Sequence, residues 1–152
     1  MAYKEKYTVT TTVSTVCEDP TTCYNQEVLG KVFTEMLLPE YEQEKFAVAV
    51  MNNKLELLGT KVLFIGLTSC VHVDKAILAR YVLSFPGATR FAVAHNHPSG
   101  STSPSSADMS LTEELRKVAD LLGLKIVDHV IVANGTQPYS FSENGSTAVR
   151  YC

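Results

Sequence analysis

The chain has no run of lysines and arginines: 13 basic residues face 16 acidic ones, for a formal charge of −3 and an isoelectric point near 5.8. A general phosphate-binding surface needs clustered cations, so direct nucleic-acid binding is not expected. The sequence also lacks any apolar stretch approaching the ~20 residues that a membrane span requires. Its opening, Met1-Ala2-Tyr3-Lys4-Glu5-Lys6, has no apolar signal-peptide core, which argues against export. Four cysteines, Cys17, Cys23, Cys70 and Cys152, form no Cys-x-x-Cys pair and are too sparse for a disulfide scaffold. A reduced, cytoplasmic setting is the simplest expectation, and a bridge between Cys17 and Cys23 is the weaker reading for a chain not expected to leave the cell.

With 152 residues, 45% of them apolar and 19% charged, the chain reads as an ordinary soluble globular protein. A domain of this size buries roughly 68–70% of the surface its unfolded form exposes. Residues 1–20, polar and rich in Thr and Val, read as an N-terminal arm or edge strand, and 21–152 as a single domain without repeats. Thr21 or Thr22 is a candidate cap for a helix running to Leu38, with Val28, Val32, Phe33 and Met36 on one face and Pro39 ending it. Phe46–Met51 is an apolar, central strand. After the Asn52-Asn53 turn, Leu55–Ile65 pairs back, interrupted at Gly59. Asp74 caps a helix over Lys75–Ser84 with Ile77, Leu78, Tyr81 and Val82 inward. Phe91–Ala94 forms a buried strand. A further helix carries Leu111, Leu115, Val118 and Leu122 as its stripe and closes at Gly123. Lys125–Val132 is strongly β, Asn134-Gly135 turns, and Tyr139–Phe141 looks like a last strand. Strands alternating with helices imply an α/β (α+β) sandwich around a mixed sheet.

One segment points to a particular chemistry. His95-Asn96-His97 ends the buried strand and opens into Pro98-Ser99-Gly100, and Ser105-Ser106-Ala107-Asp108 begins the next helix. Side chains two apart on a strand point the same way, so His95 and His97 can face one point. That suits two imidazoles on a tetrahedral Zn²⁺, with Asp108 in the first helical turn as third ligand and a fourth position left for water. Ser105 and Asp108 also read as a capping box, which needs no metal, and a cap that fixes the helix start fixes Asp108 as well. Gly100 gives the loop the backbone freedom that close approach to a metal or substrate would need.

His95-x-His97-Pro98, six residues, then Ser105-x-x-Asp108 resembles the core motif of the JAMM (MPN-type) zinc metallopeptidases. The longer string, with Ser99-Gly100, Pro104, Leu121-Leu122-Gly123 and Asp128-His129, is similar to the bacterial RadC-like branch. The likeness is strongest from Phe91 to Val132, continues weakly upstream and leaves residues 1–40 uncovered. It implies a mixed sheet between helices like that of the cytidine-deaminase-like proteins, one zinc on His95, His97 and Asp108, and Ser105 stabilising an oxyanion on a peptide or isopeptide carbonyl. A glutamate on an earlier strand is implied as general base. Where relatives place it, before Phe64-Ile65-Gly66, the chain reads Thr60-Lys61-Val62. Glu56 is the nearest candidate, brought into range by a bulge at Gly59 or else left exposed on a hairpin.

Of the other polar residues, Asp128 and His129 are expected as a structural pair near a helix end, although His129 as a fourth ligand would close the site. His72 is expected at the surface, with a cleft lining as the alternative, and Lys61 and Arg90 as solvated cations or a draw for an acidic tail. Two functions compete. One is a zinc-dependent metallopeptidase or isopeptidase acting on a peptide or protein. The other is a non-catalytic, zinc-stabilised module tied to DNA processing, favoured if no carboxylate reaches the metal. A zinc nucleobase deaminase needs His-x-Glu and Pro-Cys-x-x-Cys, which are absent here.

Overall fold

In a computed structural model, residues 25–66 and 72–146 of the protein are described. The expected arm over 1–20, the Thr21 or Thr22 cap and all four cysteines lie outside those residues. Among the described residues, no helix is long and apolar enough to cross a membrane.

Eight elements follow in order: α1 (Gln26–Leu37), β1 (Lys45–Met51), β2 (Leu57–Ile65), α2 (Lys75–Leu83), β3 (Arg90–Asn96), α3 (Ser106–Leu122), β4 (Lys125–Ala133) and β5 (Thr136–Ser140). The five strands make one sheet in the order β2-β1-β3-β4-β5. Only the β3–β4 pair is parallel, bridged by α3; the other neighbours run antiparallel. The mixed sheet between helices is therefore as the sequence implies.

Residue size decides which helix covers which face. Along β1 and β3, Ala47, Ala49, Ala92 and Ala94 line one face, and Leu29, Val32, Phe33 and Leu37 of α1 pack onto that shallow surface. The opposite face carries Phe46, Val48, Val50, Phe91 and Val93, which meet Leu78 and Val82 of α2 and Leu115 and Ala119 of α3. Phe33, Phe46 and Phe91 are at most 2% exposed, each burial stabilising the fold by roughly 1.5–3 kcal/mol. Asn25 caps α1 by accepting from the Val28 amide, and Asp74 caps α2 as expected.

The structure departs from the sequence reading in several places: Ile77 of α2, expected inward, is exposed, and β2 begins at Leu57 rather than Leu55. In α3 the buried positions are Asp108, Thr112, Leu115 and Ala119, while Leu122 is exposed. The helix is rotated from its apolar stripe because two polar side chains, Asp108 and Thr112, face the sheet. In β2, Gly59 does not break the strand. A Cβ there would fall inside the Phe85 ring, so the glycine makes room for that side chain. The last strand begins earlier than expected, at Thr136.

The β3–β4 register holds one further irregularity. Phe91 pairs with Ile126 but Ala92 pairs with Asp128, so Val127 is an extra residue in β4. A single extra residue reverses the facing of everything after it. Val127 joins the α1 core, and His129, opposite Val93, takes the face on which His95 stands.

Candidate metal centre

His95 sits on the α2/α3 face near the end of β3, and His97 follows it, held by its amide to the Val132 carbonyl at 2.9 Å. Asp108 comes from the first turn of α3. Ser105 Oγ accepts from the Asp108 amide at 3.1 Å and Asp108 Oδ2 accepts from the Ser105 amide at 2.8 Å, so the expected capping box forms and fixes the carboxylate. Gly100, at φ +86°, turns the intervening loop, and its carbonyl accepts from Thr136 Oγ1 at 2.8 Å, tying the loop to β5.

The three side chains converge. His95 Nε2 lies 3.0 Å from His97 Nε2 and 3.1 Å from Asp108 Oδ1, and His97 Nε2 lies 3.3 Å from Asp108 Oδ2. A tetrahedron with metal–ligand bonds of about 2.0–2.1 Å has edges of about 3.3–3.4 Å, so the separations suit one divalent cation. The group can hold a metal ion. Hydrogen-bond directions agree. His97 Nδ1 is 2.8 Å from the Ser101 carbonyl, which only accepts, so that nitrogen carries the proton and the Nε2 lone pair faces the centre. Two imidazole nitrogens and a carboxylate at this spacing require a positive charge between them, as a proton or a metal.

The electrostatics say the same. Burial alone would raise Asp108, but hydrogen bonds from His95 and His97 outweigh it and hold the carboxyl well below the usual range. The hydrogen bond to Asp108 raises His97 against the opposing effect of burial, with Glu44 among the charges that contribute.

Behind the centre, His129 is fully buried, and desolvation pushes its pKa well below the ordinary histidine value, so the ring is neutral. Its Nε2 lies 2.9 Å from His95 Nδ1, the nitrogen turned away from Asp108, which excludes it as a fourth ligand. Its Nδ1 lies 2.6 Å from Thr112 Oγ1. Asp128 and His129 are hydrogen-bonded as expected, through the His129 backbone amide at 2.8 Å. The Asp128 carboxylate also receives Ser140 Oγ at 2.6 Å and the Ser142 amide at 3.1 Å, fastening β4 to the chain after β5.

Burial raises the Asp128 carboxyl from 3.8 to about 6, against those three hydrogen bonds. A carboxyl raised in the folded state favours folding below its unfolded value, and this stability is lost as pH rises toward the folded value. The loss is on the order of 3 kcal/mol at 1.36 kcal/mol per pH unit. Asp128→Asn, which keeps the shape, is expected to gain melting temperature relative to the native protein between pH 4 and 6. Thermal denaturation of both proteins across that window checks it, and a difference that stays flat would refute the buried-carboxyl account.

A cleft of about 690 Å³ opens over the centre, its walls including Glu44, Phe46, His72, Val73, Ser105 and Leu111. Ser105 lines it as expected, and His72 lines it too. The structure does not bring Glu56 there. Glu56 Oε2 accepts from Asn52 Nδ2 at 2.6 Å in the β1–β2 hairpin, beyond Met51 and so about 20 Å of strand from the metal end of β1. The ladder does slip beside Gly59, with Val50 opposite Gly59 and Met51 opposite Leu57, but the extra residue leaves Glu56 in the hairpin, and Glu56 is withdrawn as a candidate base.

Glu44 is the carboxylate that sequence reasoning missed. It directly precedes β1, and because β1 and β3 run antiparallel, with Phe46 opposite His95, the start of one strand meets the end of the other. Asn96, fully buried between the two histidines, holds it there. Its Oδ1 accepts from the Lys45 amide at 2.7 Å, and its Nδ2 donates to the carbonyls of Gln43 at 2.9 Å and Tyr41 at 3.2 Å.

A helix-covered mixed sheet that presents strand-end histidines and a helix-capping aspartate to one cleft is a domain of the JAB/MPN class. The family model for the RadC-like JAB domain matches residues 23–146, and the chain belongs to that family. It is 42% identical over 93 residues to a UPF0758 protein of Gloeothece citriformis, covering 61% of this chain and 38% of that protein. It is 39% identical over 104 residues to the UPF0758 protein YkfG of Escherichia coli, covering 68% and 65%. A UPF0758 protein of Psychrobacter is 37% identical over 123 residues, 80% of this chain and 53% of the relative. The matched region thus spans between two fifths and two thirds of these relatives' length.

Proposed function

We propose that the domain is a zinc-dependent metallopeptidase or isopeptidase, and the observation that carries the reading is the convergence of His95, His97 and Asp108 at tetrahedral spacing with the His97 lone pair facing inward. Zinc held by those three residues would lower the pKa of water to ~7 and polarise a substrate carbonyl. Glu44, lining the same cleft, takes the proton of the attacking water as the new C–O bond forms. It then passes that proton to the nitrogen of the breaking C–N bond, so the amine leaves neutral. Ser105 Oγ uses a lone pair on the Asp108 amide, which leaves its proton to stabilise the developing oxyanion. Phe46, Val73 and Leu111 form apolar walls that limit water beside the reacting carbonyl.

The substrate in this reading is a peptide or protein and the setting cytoplasmic, both resting on the sequence-level expectations. The non-catalytic alternative, drawn from the RadC-like resemblance, was supported by a missing carboxylate, and the presence of Glu44 in the cleft supports the hydrolase reading instead. Purified protein should carry about one zinc, and mass spectrometry of a mixed peptide pool should show new amino termini that a chelator abolishes. Zinc bound without any new termini would make the domain a metal-stabilised module instead. Equal metal content in the native protein and in His95→Ala would overturn the ligand set itself.

A further inference from the structure

We infer that Thr112 and His129 are positioning residues for the metal centre, acting as a two-bond relay that fixes which nitrogen of His95 carries its proton. The inference rests on the reading of His95, His97 and Asp108 as metal ligands and concerns what sets the strength of that site.

The relay has a direction because one end can only accept. Thr112 Oγ1 is 2.7 Å from the Asp108 carbonyl, so the hydroxyl proton points there. The remaining lone pairs of Oγ1 face His129 Nδ1 at 2.6 Å, so Nδ1 carries the imidazole proton. His129 Nε2 is then a bare acceptor, 2.9 Å from His95 Nδ1, which must donate. With Nδ1 committed to His129, His95 turns Nε2 toward His97 and Asp108, where giving up the proton shared with Asp108 leaves the lone pair a metal ligand needs.

Burial makes this assignment hold. Thr112 is 1% exposed, His129 0% and His95 3%, so water cannot take over any bond in the series, and an unpaired group there is costly. The His129 ring is also fixed in plane, stacked on Phe141 at 4.8 Å between centroids and 9° between planes. His97, by contrast, is oriented by one carbonyl, that of Ser101 in the exposed loop. The two histidine ligands are therefore set by different devices, one in the core and one at the surface.

Removing the hydroxyl reverses the series. In Thr112→Val, a proton on His129 Nδ1 would face a methyl group, so it moves to Nε2 and is donated to His95 Nδ1. His95 must then carry its own proton on Nε2, in the place of the metal. Zinc affinity is expected to fall about 10–100-fold, the usual effect of losing a partner behind a ligand. Thr112→Ser restores both the hydroxyl and the affinity.

The test uses the full chain as the native protein, Thr112→Val and Thr112→Ser. Zinc affinity is measured by competition with a chromophoric chelator at fixed pH, and imidazole tautomers by nitrogen-15 NMR without metal. The expected result is His95 and His129 both protonated on Nδ1 in the native and serine proteins, and His129 protonated on Nε2 in the valine protein with weakened zinc. Native His129 protonated on Nε2 overturns the relay even if the valine protein does not fold. So does a valine protein with native affinity and unchanged tautomers. Those outcomes leave the ligand reading intact, whereas a native protein whose zinc uptake is unaffected by His95→Ala removes that reading and the relay with it.

Discussion

Glu44→Gln is expected to leave zinc bound at native stoichiometry while peptide hydrolysis falls by about 10²–10⁴, the range for losing a general base. The amide preserves size and reach but cannot accept a proton from water at neutral pH. Among the described residues, the hydrogen bonds of Glu44 run through its backbone, its carbonyl accepting from the Gly66 amide at 2.8 Å. Glu56→Gln is the matched control, distant from the cleft and expected to keep full activity. Kinetics of the two variants, with metal content measured in parallel, decide between them. Full activity in Glu44→Gln, or its loss in Glu56→Gln, would show that the wrong carboxylate has been assigned.

The second large effect is expected from Asp108→Asn. Its retained oxygen can still accept from the Ser105 amide, so the cap on α3 survives, while the amide nitrogen faces the histidines and cannot ligate. Zinc affinity is expected to drop on the order of 10²–10³-fold, about a quarter of the binding free energy of a four-ligand site. The pH dependence provides an independent signature. Without metal, His97 is raised by its bond to Asp108. That interaction stabilises the fold at pH below the unfolded value of 6.5 and is lost as pH rises through the higher folded value. Zinc must displace this proton, so its binding strengthens over the same interval. The melting temperature of the metal-free protein should fall as pH rises above 6.5, and the zinc-induced gain should grow. Asp108→Asn should flatten both trends, and calorimetry with and without zinc reads them. A zinc-induced gain independent of pH in the native protein would contradict the coupled His97–Asp108 pair.

The convergence of His95, His97 and Asp108 was legible in the sequence because every relation among them is local. The spacing of His95 and His97 fixes their common direction, and the Ser105–Asp108 cap fixes the carboxylate without reference to the rest of the chain. Most elements were legible for the same reason, since periodicity and caps act over a few residues. Glu44 was not, because it reaches the site only through the antiparallel register of β1 against β3, 51 positions away. The available signal was a carboxylate just before the apolar run Phe46–Met51, whose start must lie beside the end of an antiparallel neighbour. The structural role of His129 was expected, but its contact with His95 was not legible, because the extra residue Val127 reverses its facing and a run of buried β residues carries no alternation to reveal such an insertion. Thr112 stands one helical turn beyond Asp108 and buried against the sheet, a placement that the Leu111–Leu115–Val118 stripe gives no sign of.

The tripeptide His95-Asn96-His97 has a mechanical consequence. Its outer members face the candidate metal site and its middle one grips the peptide units on both sides of Glu44. The two histidines and the Glu44 backbone therefore hang from a common mount, while Asp108 is held separately by the cap of α3. The span between the Glu44 backbone and the two imidazoles is then set by three consecutive residues rather than by the closure of one cleft wall on another.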